Sequence, residues 1–160
     1  MPEIFTSRFS NPELQTGKYT VVGIVRGLPR FKLKYQLEGN IRQIAPPGYL
    51  WNENDRERFT PKYFQHMDQQ DIKTIQTILN GYLSKGKDVI LCCYEDVRIP
   101  DEWCHRLVFA EWYEGKTDIK IRELPDSSAI KYPKGRKPIE TPKSEESKQP
   151  EYKQMTLFGC

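Results

Sequence analysis

Residues 88–94 read DVILCCY, a continuous apolar run that begins after Asp88 and ends at Tyr94. A short run without a polar interruption is typical of a central strand in a parallel sheet, because such a strand is buried on both faces. The run therefore predicts a middle strand, and the elements on either side of it are expected to pack around it.

A helix is predicted directly before this strand. Thr60-Pro61 has the pattern of a helix start, because a hydroxyl N-cap precedes a proline whose missing N–H costs nothing in the first turn. Asp68 offers a second start, and Gly86 offers an end. Between them the apolar residues recur at helical spacing and predict one stripe that faces a sheet. These residues are Ile72, Ile75, Ile78, Leu79, Tyr82 and Leu83.

A second helix and a further strand are predicted after the central strand. The helix is expected to begin at Pro100, because Asp101 and Glu102 then lie in its first turn, where the helix dipole favours acids. Gly115 is expected to end it. Residues 118–124 alternate isoleucine with basic side chains and predict a strand at a sheet edge. The packing residues of the helix are expected to be Leu107, Val108, Ala110 and Trp112.

Two strands are predicted near the N-terminus. Residues 3–7 and 20–25 are short β-branched and aromatic runs bounded by turn residues. From residue 30 to residue 55 the sequence Ala-Pro-Pro-Gly at 45–48 excludes regular structure, so an ordered loop is expected there. The order strand, helix, strand, helix, strand favours a small α/β sandwich with a mostly parallel sheet and helices on its faces.

The chain has 160 residues, which is enough for one domain with its own core and too few for two of ordinary size. This domain is predicted to cover residues 1–124. From Pro125 onward prolines alternate with lysines, glutamates and serines, and almost nothing apolar appears before Met155. Such a segment cannot bury enough surface to offset its ordering entropy, so residues 125–152 are predicted to be a disordered tether.

The charge is mixed, with 25 basic and 22 acidic side chains and a net charge of +3. This balance argues against a protein that wraps nucleic acid by charge alone. No apolar run approaches the roughly 20 residues of a membrane span, and the first residues lack the order of a signal peptide. We therefore expect a cytoplasmic protein without a membrane partner, whose four cysteines stay as thiols.

Reactive side chains concentrate at the end of the central strand. Cys93 and Glu95 leave the strand, and Cys104 and His105 lie near the start of the next helix. In an open α/β sheet, ligands bind at the carboxyl ends of the strands. A thiol near an imidazole has a lowered pKa and is a candidate nucleophile, and a nearby carboxylate can orient the imidazole or exchange a proton. These four residues are the predicted catalytic set.

Two arginines are predicted to bind an anionic ligand in the same cleft. Arg106 follows the helix start, where exposed amides favour an anion, and its guanidinium can hold a phosphate or carboxylate in a fork. Arg26 follows the second strand and is expected to converge on the same edge. One structural alternative stays open, in which Glu95 and Arg106 form an ion pair that ties the strand to the helix.

The doubled cysteine leaves a further alternative open. Cys92 is expected in the core, where cysteine behaves as a small apolar side chain, whereas Cys93 either lines the cleft or packs in the core. Zinc sites commonly use paired Cys-x-x-Cys units, and the chain contains none. The sequence therefore predicts no metal and no other cofactor.

Five short motifs occur in a fixed order: FTS at 5–7, IVRGLP at 24–29, AP at 45–46, LCCYE at 91–95 and CHR at 104–106. Together they resemble the bacterial, archaeal and phage proteins grouped as domain of unknown function 488, over roughly residues 4–124. The resemblance implies a Rossmann-like three-layer α/β fold and a site that contains Arg26, Cys93, Glu95, Cys104, His105 and Arg106. Ser7, at the end of the first motif, is added as a ligand-binding candidate. The chain departs from the family in its longer connector, residues 96–103, and in its doubled cysteine.

The last residues, 153–160, read KQMTLFGC and look like the peptide that docks bacterial DNA sliding clamps. Met155, Leu157 and Phe158 would fill apolar pockets, and Gln154 would form a hydrogen bond at the rim of the groove. A flexible tether would then hold the domain near DNA at a high effective concentration. The alternative is a chance match whose apolar residues fold back onto the domain.

These observations favour an enzyme of DNA or nucleotide metabolism, in repair, modification or phage replication, that the sliding clamp recruits. A DNA or nucleotide ligand is expected, and Tyr49 and Trp51 are candidates to stack on a base. The alternative is a non-enzymatic protein that binds or sequesters a nucleotide, or a phage factor that occupies the host clamp. A third hypothesis, a redox or persulfide-handling protein, depends on the cysteines alone.

Overall fold

Parallel strands make up the whole sheet in the computed structural model, which describes residues 1–133. The five strands are β1 (Ile4–Arg8), β2 (Tyr19–Gly23), β3 (Gly39–Asn40), β4 (Asp88–Cys93) and β5 (Arg122–Glu123). Their order across the sheet is β3-β2-β4-β1-β5, and every pairing is parallel. The prediction of an α/β fold with a parallel sheet is confirmed.

The run DVILCCY is the central strand, as predicted. β4 lies between β1 and β2, with Leu91 opposite both Thr6 and Val22. Residues 89–93 are buried on both sides, which explains why the run has no polar residue. The strand ends at Cys93, so Tyr94 and Glu95 begin the loop at its carboxyl end.

Three α-helices occur within residues 1–133: α1 (Arg56–Gln70), α2 (Ile72–Leu83) and α3 (His105–Thr117). The predicted start of α1 at Thr60 is wrong. The helix begins one turn earlier because the Asp55 side chain caps it, accepting a hydrogen bond from the Glu57 amide at 3.0 Å. Pro61 lies inside the helix, and the Thr60 hydroxyl donates to the carbonyl of Arg56 at 2.8 Å.

The start of α2 also differs from the prediction. Asp71 is its N-cap rather than Asp68, and the backbone of Asp71 has a φ of 68° that separates α2 from α1. The predicted apolar stripe is present, with Ile75 and Leu79 fully buried. The helix ends at Leu83 with Ser84 as its C-cap, three residues before the predicted end at Gly86. Gly86 lies in the turn that leads to β4, with a φ of 90° that glycine adopts without a steric penalty.

α3 begins five residues later than predicted. Residues 94–103 form turns, so Cys104 becomes the N-cap and His105 the first helical residue. The helix also passes the predicted stop at Gly115 and ends at Thr117, and its C-cap Asp118 adopts a left-handed conformation with a φ of 62°. This shift places the thiol and the imidazole at the helix start, next to the end of β4.

The sheet separates two apolar clusters. The three α-helices pack on one face, against side chains that include Val22, Val89 and Leu91. A 3-10 turn at Pro12–Thr16 and residues 33–37 cover the other face, where Ile90 and Cys92 point. The third layer of the sandwich is therefore irregular rather than helical.

The segment predicted to be an ordered loop, residues 30–55, contains two short elements. β3 adds an edge strand beside β2, and a 3-10 turn spans Gly48–Leu50. Leu50 is buried, whereas Tyr49 and Trp51 are 70% and 66% exposed. The predicted strand at residues 118–124 shrinks to β5.

Contacts of the domain extend past the predicted boundary at residue 124. Arg8 Nε donates to Asp126 at 2.7 Å, and Arg98 Nη1 donates to the carbonyl of Ser128 at 2.7 Å. Most of the predicted tether and the clamp-docking peptide lie outside the described residues. No helix within residues 1–133 has the length and apolar character needed to cross a membrane.

Candidate functional site

A cleft of about 610 Å³ opens at the carboxyl ends of β2 and β4, where an open α/β sheet is expected to bind its ligands. The residues after β2 form one wall, and the turns between β4 and α3 form another. Five of the seven predicted catalytic and ligand-binding residues line it: Arg26, Cys93, Glu95, Cys104 and His105.

The other two predicted residues have structural contacts instead. Ser7 is 1% exposed, and its hydroxyl donates to the carbonyl of Arg8 and accepts from the Asn11 side chain. Arg106 is fully buried and does not line the cleft. Its guanidinium binds the carboxylate of Glu123 through Nε at 3.0 Å and Nη2 at 2.7 Å. The proposed ion pair between Glu95 and Arg106 is thus replaced by one between Arg106 and Glu123.

The two cysteines of the cleft lie on its floor and are bonded as a disulfide. Cys93 is 1% exposed and Cys104 2% exposed, and their Cα atoms are 7.3 Å apart. The expectation that all four cysteines stay as thiols is therefore not met by this pair. Cys92 precedes Cys93 on β4, where successive side chains alternate between faces, and it does not line the cleft. Cys92 is free and fully buried, and burial raises the pKa of its thiol. Cys93 is thus the cysteine that faces the cleft.

The ring of His105 is held by the chain that leaves β2. His105 Nε2 lies 2.6 Å from the carbonyl oxygen of Ile24, and because a carbonyl can only accept, Nε2 carries the proton. Nδ1 then keeps its lone pair and lies 3.8 Å from Cys104 Sγ. Burial lowers the pKa of His105 to about 4, so the imidazole is neutral at pH 7.

The carboxyl group of Glu95 also lies in the cleft. Although much of the residue is open to solvent, burial of the carboxyl group raises its pKa, an effect that Arg106 partly offsets. A raised pKa keeps a carboxyl group protonated to a higher pH and suits it to proton transfer. A neutral imidazole and a carboxyl group with a raised pKa therefore share this site.

Aromatic rings also line the cleft, and of these only Trp51 was predicted from the sequence as a site residue. Trp103 packs edge-on against Phe59 with a centroid distance of 5.0 Å, and its indole N–H donates to the carbonyl of Asn54. Tyr94 is 42% exposed and its hydroxyl donates to the carbonyl of Gly27. Trp103 directly precedes Cys104 in the sequence, and this position could have identified Trp103 as a residue of the site.

A second, shallower hollow of about 500 Å³ adjoins the cleft and shares Arg26, Gly27 and Trp51 with it. Arg42, Gly48 and Asn52 complete its lining. This hollow is basic, whereas the cleft interior is acidic. The lining of the cleft contains one arginine, Arg26, and four acidic residues: Glu53, Glu95, Asp101 and Glu102.

Comparison of the chain with protein-family models, with curated proteins and with solved structures finds no match. The resemblance to domain of unknown function 488 therefore stays a prediction, and the geometry of the cleft is the basis for a functional proposal.

Proposed function

We propose that this protein is an enzyme that acts on the base of a nucleotide or nucleic-acid strand. One observation carries the proposal: a basic and aromatic rim is continuous with a cleft that holds a carboxyl group with a raised pKa, that of Glu95. Arg26 and Trp51 belong to both the rim and the cleft, while Cys104 and His105 lie at the floor.

The distribution of charge assigns a place to each part of such a ligand. Arg26 and Arg42 at the shallow hollow attract phosphate groups. The carboxylates inside the cleft, such as Glu53 and Glu95, repel phosphates but not an uncharged heterocycle. The phosphates are therefore expected to stay at the rim while the base enters the cleft.

Exposed rings at the rim suit stacking. Trp51 is 66% exposed, and Tyr49, two residues before it, is 70% exposed, so two aromatic rings are open to solvent near the rim. Bases stack on such rings with little dependence on sequence. A base that leaves the stack of a strand could pass from Trp51 into the cleft, where the carboxyl group of Glu95 could exchange protons with it.

The C-terminal peptide extends this proposal to DNA. A clamp-docking sequence at residues 153–160 would hold the enzyme near replicating or repaired DNA, and the resemblance to a family found in bacteria and phages is compatible with that setting. Both the docking peptide and the family resemblance are inferred from the sequence.

Binding of a fluorescent single-stranded oligonucleotide, measured by anisotropy over a series of salt concentrations, tests the proposal. In the double variant Arg26→Ala/Arg42→Ala the salt slope of log K should fall in magnitude by about 1.4, because each single-strand phosphate contact contributes about 0.7. Arg122→Ala is the matched control, since Arg122 is exposed at the opposite edge of the sheet. Equal slopes for all three proteins would contradict the proposal.

Turnover separates the enzyme from the non-enzymatic alternative. Mass spectrometry of oligonucleotides and free nucleotides after incubation should reveal a changed base, and the variant Glu95→Gln should slow that change while it retains binding. Tight binding with unchanged ligands would instead support a sequestering protein.

The disulfide between Cys93 and Cys104 favours a second candidate, thiol–disulfide exchange at the cleft floor. Reduction of a small disulfide substrate by the reduced chain, lost in Cys104→Ser, would support it. If the reduced chain transfers no electrons to such substrates, the redox hypothesis is excluded.

A further inference from the structure

Three metal-binding side chains meet at the floor of the cleft. Cys93 Sγ, Cys104 Sγ and a ring nitrogen of His105 all lie within 4.8 Å of one another. They come from the end of β4 and the start of α3, and the two cysteines are 11 residues apart. Thiolate and imidazole are ligands that zinc prefers, and sites with three protein ligands keep a fourth position for water or substrate.

The orientation of His105 fits a metal ligand. A ligating histidine usually donates its other ring N–H to a backbone carbonyl or a carboxylate, which fixes the tautomer and aims the lone pair at the metal. His105 Nε2 makes this bond to Ile24, and the lone pair on Nδ1 lies on the side of Cys104 Sγ. Nδ1, rather than Nε2, is therefore the ring nitrogen available to coordinate an ion that the two sulfurs hold.

The surroundings of Cys93 favour a thiolate. Arg106 Nη1 donates to Cys93 Sγ at 3.1 Å, and Arg106 has no exposed surface. A cationic donor in a buried place stabilises a negative sulfur more than a neutral one. Since Glu123 already neutralises part of this guanidinium, two thiolates and a divalent ion would leave the floor close to neutral overall.

The backbone spacing of the two cysteines is also suitable. Their Cα atoms are 7.3 Å apart, whereas the usual range for a disulfide is roughly 4.4–6.8 Å. Two thiolates that bind one ion keep their sulfurs further apart than a disulfide does, so this backbone accommodates them without moving closer.

We propose that the dithiol form of the chain binds one zinc ion through Cys93, Cys104 and His105, with a fourth coordination position that faces the cleft. The sequence predicted no metal because it has no Cys-x-x-Cys unit. Here a strand end and a helix start bring the ligands together instead. The fourth position can hold a water molecule or a substrate atom, and it would open into the cleft of the proposed function.

Elemental analysis of the full chain, purified with a thiol reductant and without chelators, tests the site. One zinc ion per chain is expected, with a loss of most of it in Cys93→Ser, Cys104→Ser and His105→Ala. Cys92→Ser is the matched control, because Cys92 is equally buried but neither lines the cleft nor belongs to the ligand group, and this variant should keep its zinc. Wild-type protein that stays metal-free after incubation with excess zinc would overturn the proposal.

Cobalt binding to the wild-type chain tests the site without any substitution, so it stays informative if a variant fails to fold. Tetrahedral cobalt with two thiolates should give intense visible bands and a thiolate charge-transfer band in the near ultraviolet; the absence of both would contradict the site. Free thiols are then counted in the denatured protein. Four thiols indicate the dithiol form. Two thiols indicate that the disulfide persists despite the reductant, and this result would also overturn the proposal. Oligonucleotide affinity at the rim, measured on the same samples, tests the proposed function separately.

Discussion

The carbonyl oxygen of Ile24 and Nε2 of His105 are 2.6 Å apart, so the chain leaving β2 orients the first side chain of α3. This bond joins two elements that are 81 residues apart in sequence. It connects the wall that contains Arg26 to the floor that contains the cysteines. The cleft is therefore built by residues that follow two different strands, β2 and β4, rather than by one loop.

Removal of the buried Arg106 guanidinium should strongly destabilise the fold. In Arg106→Leu the Glu123 carboxylate loses its partner, and a broken buried ion pair costs about 3–5 kcal/mol. Because Glu123 is 32% exposed and can regain some water, we expect about 3 kcal/mol in urea unfolding. Arg122→Ala, at an exposed pair, should stay within about 0.5 kcal/mol. Equal effects of the two substitutions would refute this account of Arg106.

The connector between β4 and α3 should make stability sensitive to acid. Hydrogen bonds from Arg98 are the main reason why the pKa of Asp96 is lowered, so its contribution is present above the ordinary pKa of about 3.9 and is lost as the pH falls through the lower, folded-state pKa. Asp96→Asn should cost about 1–2 kcal/mol at pH 7 and flatten the decline below pH 4 or so. Unfolding by urea at several pH values measures both, and an unchanged pH profile in the variant would contradict the assignment.

Gly23 should not tolerate a side chain. A Cβ at this position would lie 2.7 Å from Asn40 Oδ1, which bonds to the amide of Val25 at 3.1 Å. Gly23→Ala should therefore cost about 1–3 kcal/mol and disturb the wall that leads to Arg26. Gly81→Ala is the contrasting variant, since nothing lies within 4 Å of its Cβ and it should stabilise α2 by about 0.5–1 kcal/mol. Thermal unfolding of the two variants measures these changes in stability. An unchanged melting temperature in Gly23→Ala would contradict the prediction.

Trp51 should contribute to ligand binding without contributing to stability. The ring is 66% exposed, so Trp51→Ala is expected to leave the unfolding free energy nearly unchanged. Loss of one stacked base should weaken binding of a single-stranded oligonucleotide about ten-fold. Trp112→Ala is the converse control, because that indole is 2% exposed and its loss should reduce stability. Unchanged affinity in Trp51→Ala would remove the stacking role.

The C-terminal peptide should act independently of the folded domain. Removal of residues 154–160 is expected to abolish association with a bacterial sliding clamp in calorimetry, since Leu157 and Phe158 supply the apolar contacts. The urea unfolding curve should not change. Lys153→Ala controls for the loss of a charge near the motif, and clamp binding by the shortened chain at full strength would disprove the docking hypothesis.

Much of the fold was predictable because it depends on burial. The central strand, the apolar stripe of α2 and the parallel sheet follow from periodicity, which records how many faces of an element are covered. Helix boundaries were less predictable. Thr60-Pro61 has the pattern of a start, but Asp55 caps the helix one turn earlier and the proline is tolerated inside it.

The prediction that Arg106 binds a ligand in the cleft was wrong, and the sequence itself contained a reason to doubt it. Arg106, Phe109 and Tyr113 lie at positions i, i+3 and i+7 of α3, so they share the stripe that packs on the sheet, and all three are buried. The charge of Arg106 suggested an anion site, whereas its helical position indicated a buried side chain that needs a carboxylate partner. Glu123, on β5, is that partner.

By itself the sequence determined the α/β class, the central strand and the reactive residue types at its end, because these depend on local periodicity and on which side chains follow a buried run. Only the tertiary structure decided which of Cys92 and Cys93 faces the cleft, that Ser7 and Arg106 lie outside it, and that His105 presents Nδ1 to the sulfurs. Those outcomes depend on contacts between elements that are distant in sequence, such as Ile24 with His105, and no local pattern specifies them.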